Sequence, residues 1–341
     1  MKKILVTGGL GYIGSHTVVE LQLAGFEVVI IDNLSNASID VLQGIERITG
    51  IIPTFEEFDL RVKQATISFF TKHHDVSGII HFAASKAVGE SVENPLLYYE
   101  NNLSTLITIL QQVQHKTQIA FIFSSSCTVY GQAGMKPISE AEPVKQAFSP
   151  YGNTKQIGEE ILRDTAKITE GLQVISLRYF NPIGAHPSTE IGELPNGVPQ
   201  NLVPFITQTA IGLRKELSVF GNDYPTEDGT CIRDYIHVVD LAKAHVTALE
   251  RLLNAQYETS FEVFNIGTGT GSSVLEVIES FERVSKQKLT YTIVGRREGD
   301  VISAYADTTK ANTILGWKAT STLDEAMLSA WQWEQKIRKT T

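Results

Sequence analysis

Residues 3–32 leave the chain few folds to choose from. Ile4, Leu5 and Val6 form a short, continuously apolar run, as a parallel strand covered on both faces requires. Gly8, Gly11 and Gly14 follow at the spacing of a nucleotide cradle. The first permits a sharp turn, the second lets a pyrophosphate reach the backbone at the positive end of a helix, and the third lets helix and strand pack closely. Ile13, Thr17, Leu21 and Ala24 then recur at helical spacing, Gly25 ends that helix, and residues 28–31 make a second apolar strand. Asp32 stands at its carboxyl end. A carboxylate there accepts hydrogen bonds from adenosine ribose hydroxyls and repels a 2'-phosphate, which selects NAD over NADP. A glycine triplet alone would suit a plain structural turn, but strand, helix, second strand and acid in register specify a dinucleotide site.

At 341 residues, with 42% hydrophobic and 20% charged residues, the chain has room for about two domains. The net charge of -9 disfavours nucleic acid or an anionic membrane as the main partner. Local arginines can still hold an anionic small ligand. Cys127 and Cys231 cannot make a disulfide framework, and no paired Cys/His spacing suggests a metal, so none is expected. His73-His74 reads as a solvated helix end. No apolar run approaches the length of a bilayer, and Met-Lys-Lys leads into three apolar residues rather than a secretory core, so the expected location is the cytoplasm.

Beyond Asp32, helix-like stretches at about 38–49, 62–73, 94–115 and 151–169 alternate with apolar strands at about 52–56, 77–82, 119–124 and 172–178. Strands separated by helices call for right-handed crossovers and a parallel sheet. The expected fold class is α/β, a Rossmann-type doubly wound parallel sheet. From about 181 the texture changes, with Pro182, Pro187, Pro195, Pro199, Pro204 and Pro225 punctuating the sequence and long strands absent. This reads as a smaller α/β lobe facing the ligand. A helix at about 238–253 and a strand at 263–266 are expected to return to the main sheet, so that the lobes interleave. Residues 1–180 plus about 236–267 would bind the dinucleotide, and 181–235 plus 268–341 the substrate.

The second constellation begins at Phe121-Ile-Phe-Ser124-Ser125-Ser126-Cys127-Thr128, a buried strand that runs into hydroxyl-bearing residues at its carboxyl end. In an open α/β sheet that end faces the ligand crevice. Alone it would read as a serine-rich turn. Further on comes Tyr151-Gly-Asn-Thr-Lys155, whose two ends share one face of a helix. A phenol with a pKa of about 10 is a poor base, but a nearby ammonium and a positive nicotinamide ring both favour its phenolate. Tyr151 is thereby a candidate proton shuttle. The plain alternative is a surface Tyr and Lys that happen to fall four residues apart.

Thr7-Gly8-x-x-Gly11-Tyr12-Ile13-Gly14, Asp32-Asn33-Leu34, His81-Phe82-Ala83-Ala84 and Tyr151-x-x-x-Lys155 together resemble the extended short-chain dehydrogenase/reductase family. Within it, Lys86-Ala-Val-Gly-Glu-Ser91, Ser124-Ser-Ser, Arg178-Tyr-Phe-Asn181-Pro, Gly221-Asn-Asp-Tyr-Pro-Thr-Glu-Asp-Gly-Thr230 and Arg233-Asp-Tyr-Ile-His237 resemble the UDP-glucose (UDP-galactose) 4-epimerases. The resemblance runs from residue 2 to about 335.

It implies that Ser126, Tyr151 and Lys155 are catalytic. NAD would be held by Gly8, Gly11, Tyr12, Ile13 and Gly14, by Asp32, Asn33, Leu34, Ser35, Asn36 and Ala37, and by Asp59 and Leu60 beside the adenine. Phe82, Ala83, Ala84, Ser85 and Lys86, with Asn101, Ser126, Tyr151, Lys155 and Phe180, would complete that site. The UDP-sugar would meet Lys86, Ser126, Tyr151, Asn181, Asn201, Leu202, Ser218, Val219, Phe220, Arg233, Tyr235, Arg297 and Asp300. Ala304 lies four past that aspartate, where a tyrosine confines such enzymes to glucose and galactose and a small residue leaves room for an N-acetyl group. The family usually has Gly-Leu where this chain has Ala84-Ser85, and alanine in place of Cys127. Helices at 94–115 and 151–169 are those that pair in the family's dimers, which implies a homodimer.

The chemistry of the residues agrees with this. Arg233 and Arg297 offer planar guanidinium forks that suit a diphosphate, although each alone would pass for a solvated surface arginine. Asn181 after a strand is commonly a turn former, and its setting in Arg-Tyr-Phe-Asn-Pro makes it a candidate substrate contact. Two rival functions are a nucleotide-sugar 4,6-dehydratase and a non-catalytic NAD-binding scaffold. The dehydratases carry Asp-Glu where this chain has Cys127-Thr128, and the intact Ser126, Tyr151 and Lys155 set argues against a scaffold.

Overall fold

In a computed structural model, residues 1–131, 134, 136–297 and 300–339 are described. The first half of the chain alternates as expected: β1 (Lys3–Thr7), α1 (Tyr12–Leu23), β2 (Glu27–Asp32), α2 (Val41–Thr49), β3 (Thr54–Glu57), α3 (Lys63–Lys72) and β4 (Val76–His81). It continues through α4 (Val88–Glu93), α5 (Pro95–Val113), β5 (Ile119–Ser126), α6 (Pro150–Ile168) and β6 (Leu172–Tyr179). The second half has shorter strands: β7 (Asn181–Ile183), α7 (Leu202–Ala210), β8 (Leu217–Phe220), β9 (Ile232–Arg233), β10 (Tyr235–His237), α8 (Val238–Leu253) and β11 (Phe261–Ile266). It ends with β12 (Ser272–Ser273), α9 (Val274–Ser285), β13 (Tyr291–Val294), β14 (Ser303–Ala304) and α10 (Leu323–Lys339).

Seven strands pair in parallel in the order β11-β6-β5-β4-β1-β2-β3. The strand order reverses between β1 and β4, which opens a crevice beyond their carboxyl ends. Alternate residues face opposite cores, as the pleat dictates. Ile4, Val6, Ile80 and Ile122 meet α1 and α8, whereas Leu5, Ile79, Phe121 and Phe123 meet α3, α5 and α6. The late strand β11 pairs with β6 along its whole length, so the chain does come back to the main sheet.

Two local expectations need correction. The spacing of Ile13, Thr17, Leu21 and Ala24 predicts one buried stripe on the first helix, yet Gly14 through Val19 are all buried while Ala24 is exposed, because α1 packs on the sheet with α8 and α2 alongside it. His73 is no solvated helix end: it is buried, 4.5 Å from the Phe69 ring, with Nε2 3.2 Å from the Glu56 carboxylate. Only His74 is exposed. The tail beyond 268 also holds two helices, α9 and α10, that the sequence reading did not single out. Ser273 and Glu276 form a reciprocal capping box on α9, and Thr322 and Glu325 exchange the same pair of bonds at the start of α10. Both pack against α7, β8 and β7 through Phe281, Met327 and Trp331. Among the described residues no helix is long and apolar enough to cross a membrane.

Candidate active site

The glycine turn sits at the carboxyl end of β1. Gly8 has a φ of 67°, and a Cβ there would lie 2.9 Å from the Ala83 nitrogen. A Cβ on Gly14 would lie 2.2 Å from the Gly8 carbonyl oxygen, which fixes how closely α1 approaches the turn. The first turn of α1 has neither a capping side chain nor an acid. Its free N–H groups suit an anion. Asp32 accepts from Leu10 N at 3.1 Å and Leu34 N at 3.0 Å, so its carboxylate also holds the turn in shape. Burial pushes the Asp32 carboxyl upward against these bonds.

The flanking loops are tied down. Asp59 forks onto Arg61 and takes a bond from Asn33, which holds its carboxyl down at about 2. Leu34 and Ala37 pack on one core, and the Leu60 side chain is buried in the other. Ser35 bonds Asn33, and Asn36 lies 3.5 Å from the Asn196 amide. The Tyr12 hydroxyl donates to Gly184 O at 2.6 Å, which leaves its backbone rather than its phenol to the turn. Phe82 and Ala83 donate their N–H groups to Thr7 O, and Asn101 spends its amide on Ser85 Oγ at 3.0 Å.

Ser126 ends β5, and Tyr151 and Lys155 face it from α6. The Ser126 hydroxyl accepts from Thr128 N at 3.2 Å and lies close enough to the Tyr151 phenol to favour its ionised form. Lys155 is buried, donates to Ser124 O at 2.6 Å, and lies 5.7 Å from the Tyr151 ring centroid. Burial drives the Tyr151 phenol well above the usual tyrosine range, with Tyr179 adding to the rise and Ser126 opposing it. The ammonium leans on the Ser124 carbonyl, and its own pKa falls to about 8 because it too is buried.

The remaining candidates lie in the shorter strands. Asn181 of β7 is in register with Tyr235 of β10, and Arg233 of β9 with Ala304 of β14. Asp300 bridges two arginines: Arg233 at 3.4 Å and Arg297 at 2.8 Å. The Arg297 guanidinium stands 5.6 Å from the Phe220 ring. Asn201 caps α7 in position and gives its amide to Glu193 at 2.7 Å, and Leu202 packs partly on the third core. Ser218 is half-buried and Phe220 exposed, but the Val219 side chain is wholly in that core, so only its backbone remains for a ligand. Phe180 is buried, with Cys127 and Ala304 packed beside it on one cluster. Glu298 and Gly299, between Arg297 and Asp300, lie outside the described residues.

The family described as GDP-mannose 4,6 dehydratase matches residues 5–329. The UDP-glucose 4-epimerase of Bacillus subtilis (strain 168) is 50% identical over 331 residues, which is 97% of this chain and 96% of the relative. The chain belongs to the UDP-glucose 4-epimerase family. Two solved structures of UDP-glucose 4-epimerases overlay all of it. One, from Stenotrophomonas maltophila with bound NAD and formylated UDP-arabinopyranose, has a TM-score of 0.96 at 44% identity, both chains covered in full. The other, from Bifidobacterium longum in complex with NAD+ and UDP, has a TM-score of 0.94 at 42% identity, again with full coverage of both.

Several residues that shape the site in this member of the UDP-glucose 4-epimerase family were not singled out from sequence. Asn102 accepts from Ser85 N at 2.8 Å and donates to Ser85 O and Thr154 Oγ1, so it pins the loop before Lys86 to α5 and α6. An asparagine pair inside a helix is unfavourable and could have flagged it. Asp234 is fully buried and accepts from Thr268, Gly269 and Ala306, which joins β9, β14 and the loop after β11. Glu193 takes the Asn201 amide eight residues on and faces Lys86, which is far from it in sequence.

Replacing Asp32 with serine should weaken NAD retention and relax discrimination against NADP, since the repelling carboxylate is gone. Cofactor preference of reconstituted apoprotein measures this directly. An unshifted preference would leave Asp32 only its bonds to Leu10 and Leu34.

Proposed function

We propose that the protein inverts C4 of UDP-glucose and UDP-galactose by transient oxidation, with a tightly held NAD. The meeting of Ser126, Tyr151 and Lys155 at the same sheet edge as the glycine turn carries this reading. The bare start of α1, Gly14 and Asp32 fit a dinucleotide, and the residues proposed to hold it are those from Gly8 to Gly14, Asp32 to Ala37, Asp59, Leu60, Phe82 to Lys86, Asn101 and Phe180. When bound, NAD supplies the hydride acceptor for C4 and a positive ring near the phenol.

The Tyr151 oxygen takes the proton of the 4-hydroxyl as the sugar is oxidised to its 4-keto form. Ser126 steers that proton and polarises the forming carbonyl, while the charge of Lys155, anchored on the Ser124 carbonyl, favours the phenolate. Arg233 and Arg297 grip the diphosphate, Asn181, Asn201, Tyr235 and the backbone of β8 complete the cleft, and the keto sugar swings about its diphosphate linkage to offer the other face. No net redox occurs.

Support against the dehydratase comes from the two positions after Ser126. Burial pushes the Cys127 thiol up to about 11, and the Thr128 hydroxyl is buried with no partner among the described residues, so neither serves as the acid or base an elimination needs. Purified protein given UDP-galactose without added NADH should form UDP-glucose. Loss of water would favour a dehydratase, and silence a scaffold.

The lobe division at 1–180 plus about 236–267 belongs to the same proposal, as do a cytoplasmic site of action and acceptance of UDP-N-acetylhexosamines. A homodimer is proposed through α5 and α6, and the exposed Leu96 and Ile107 of α5 support it. A monomer mass by light scattering at micromolar concentration would end that idea.

A further inference from the structure

Tyr151 and Lys155 are two members of a longer row. Glu159 follows one turn later on the same face of α6, and each member engages one of three consecutive serines at the end of β5. Tyr151 meets the Ser126 hydroxyl, Lys155 the Ser124 carbonyl, and Glu159 the Ser125 hydroxyl at 2.7 Å. The Glu159 carboxylate is almost fully buried and also accepts from Ser176 Oγ at 2.8 Å and from Arg178 Nε at 2.9 Å and Nη2 at 2.5 Å. Arg178 in turn stacks 4.8 Å from the Tyr130 ring, whose hydroxyl donates to Asn265 of β11.

A buried ion pair adds little stability over an apolar pair of like volume, so its value here is positional. Further along α6 the buried contacts are the apolar Leu162 and Ala166. The charged pair instead stands one turn from the reacting groups and ties β5, β6 and β11 to them.

We propose that Glu159, locked to Arg178, is a positioning residue for the reaction: it sets the register in which Ser126, Tyr151 and Lys155 meet and supplies the countercharge to Lys155. This rests on the roles given above to Tyr151 and Lys155. The groups facing Lys155 leave Glu159 as the one that offsets its burial. From β4 comes His81, kept neutral with a pKa of about 3, and from β5 the Phe123 ring and the Ser124 carbonyl. From β6 come Tyr179 and Arg178, and from α5 Tyr98, which is bonded to Glu90 of α4. Glu159 stays ionised because Arg178 and the two serines outweigh its own burial.

Glu159→Gln alone strands a buried guanidinium, so the informative variants are Glu159→Gln/Arg178→Gln and Glu159→Asp. Each is assayed on UDP-galactose across pH with its NAD content and melting temperature. With the countercharge gone, Lys155 loses its proton at lower pH. The alkaline limb of kcat in the double variant should therefore move toward neutrality by about one pH unit. Glu159→Asp keeps the charge but shortens the reach, so its limb should stay in place while kcat falls about tenfold from misplacement. A limb unmoved in the double variant, or wild-type kcat in Glu159→Asp, overturns the proposal. A double variant that does not fold leaves Glu159→Asp to decide it. Wild-type turnover in Tyr151→Phe would instead sink the site reading itself, whatever the Glu159 variants do.

Discussion

Tyr151→Phe should fold, hold NAD and lose turnover by a factor of about a hundred or more. The fold survives because Lys155 is anchored on the Ser124 carbonyl rather than on the phenol, and the α6 register is kept by Glu159. What disappears is the phenol oxygen beside the Ser126 hydroxyl, worth at most about 1 kcal/mol. The catalytic loss is larger because nothing else at that edge can take the sugar proton. Ser126 has a hydroxyl with no base beyond it, Cys127 is held protonated with a pKa of about 11, and Lys155 is itself a cation below about 8. Burial raises the phenol, and positive charge beside it would favour its ionised form. Turnover of UDP-galactose, the absorbance of bound NAD and a melting curve test this together. Comparable activity in the variant would move the base elsewhere.

Much of this was legible because it is written in local patterns. The glycine turn, the parallel alternation and the spacing of Tyr151 from Lys155 each depend on a few residues close in sequence, and the elements stand where those patterns put them, within a residue or a few at the ends. What was hidden depends on residues far apart. Nothing near Glu193 announces that it faces Lys86, and nothing near Asp234 announces the loop after β11. Helical spacing likewise places the ammonium near the phenol, but only packing reveals that Lys155 is buried and bonded to the Ser124 carbonyl. The helices α9 and α10 were a different omission, since their Ser-x-x-Glu and Thr-x-x-Glu caps are plain in the sequence.

Ala304→Tyr should abolish conversion of UDP-N-acetylglucosamine while sparing UDP-galactose. Ala304 shares one apolar cluster with Phe180 and Cys127, the neighbour of Ser126, and is in register with Arg233. It thus stands between the proposed diphosphate grip and the proposed reacting groups, where the sugar ring must lie. A methyl side chain there leaves far more room than the acetamido group needs, and the smaller sugar loses only modest packing from the open wall. A phenol would fill that space. Exclusion of the acetylated sugar should then reach about a hundredfold in kcat/KM, while UDP-galactose stays within a few-fold of wild type. The plain alternative is that Ala304 is merely a small residue in a two-residue strand and that another side chain closes the pocket. Competition between the two sugars in one assay, with a melting curve to exclude collapse of the cluster, separates these. If the wild type fails on UDP-N-acetylglucosamine, or the variant still converts it, Ala304 is not the residue that sets the width of the pocket.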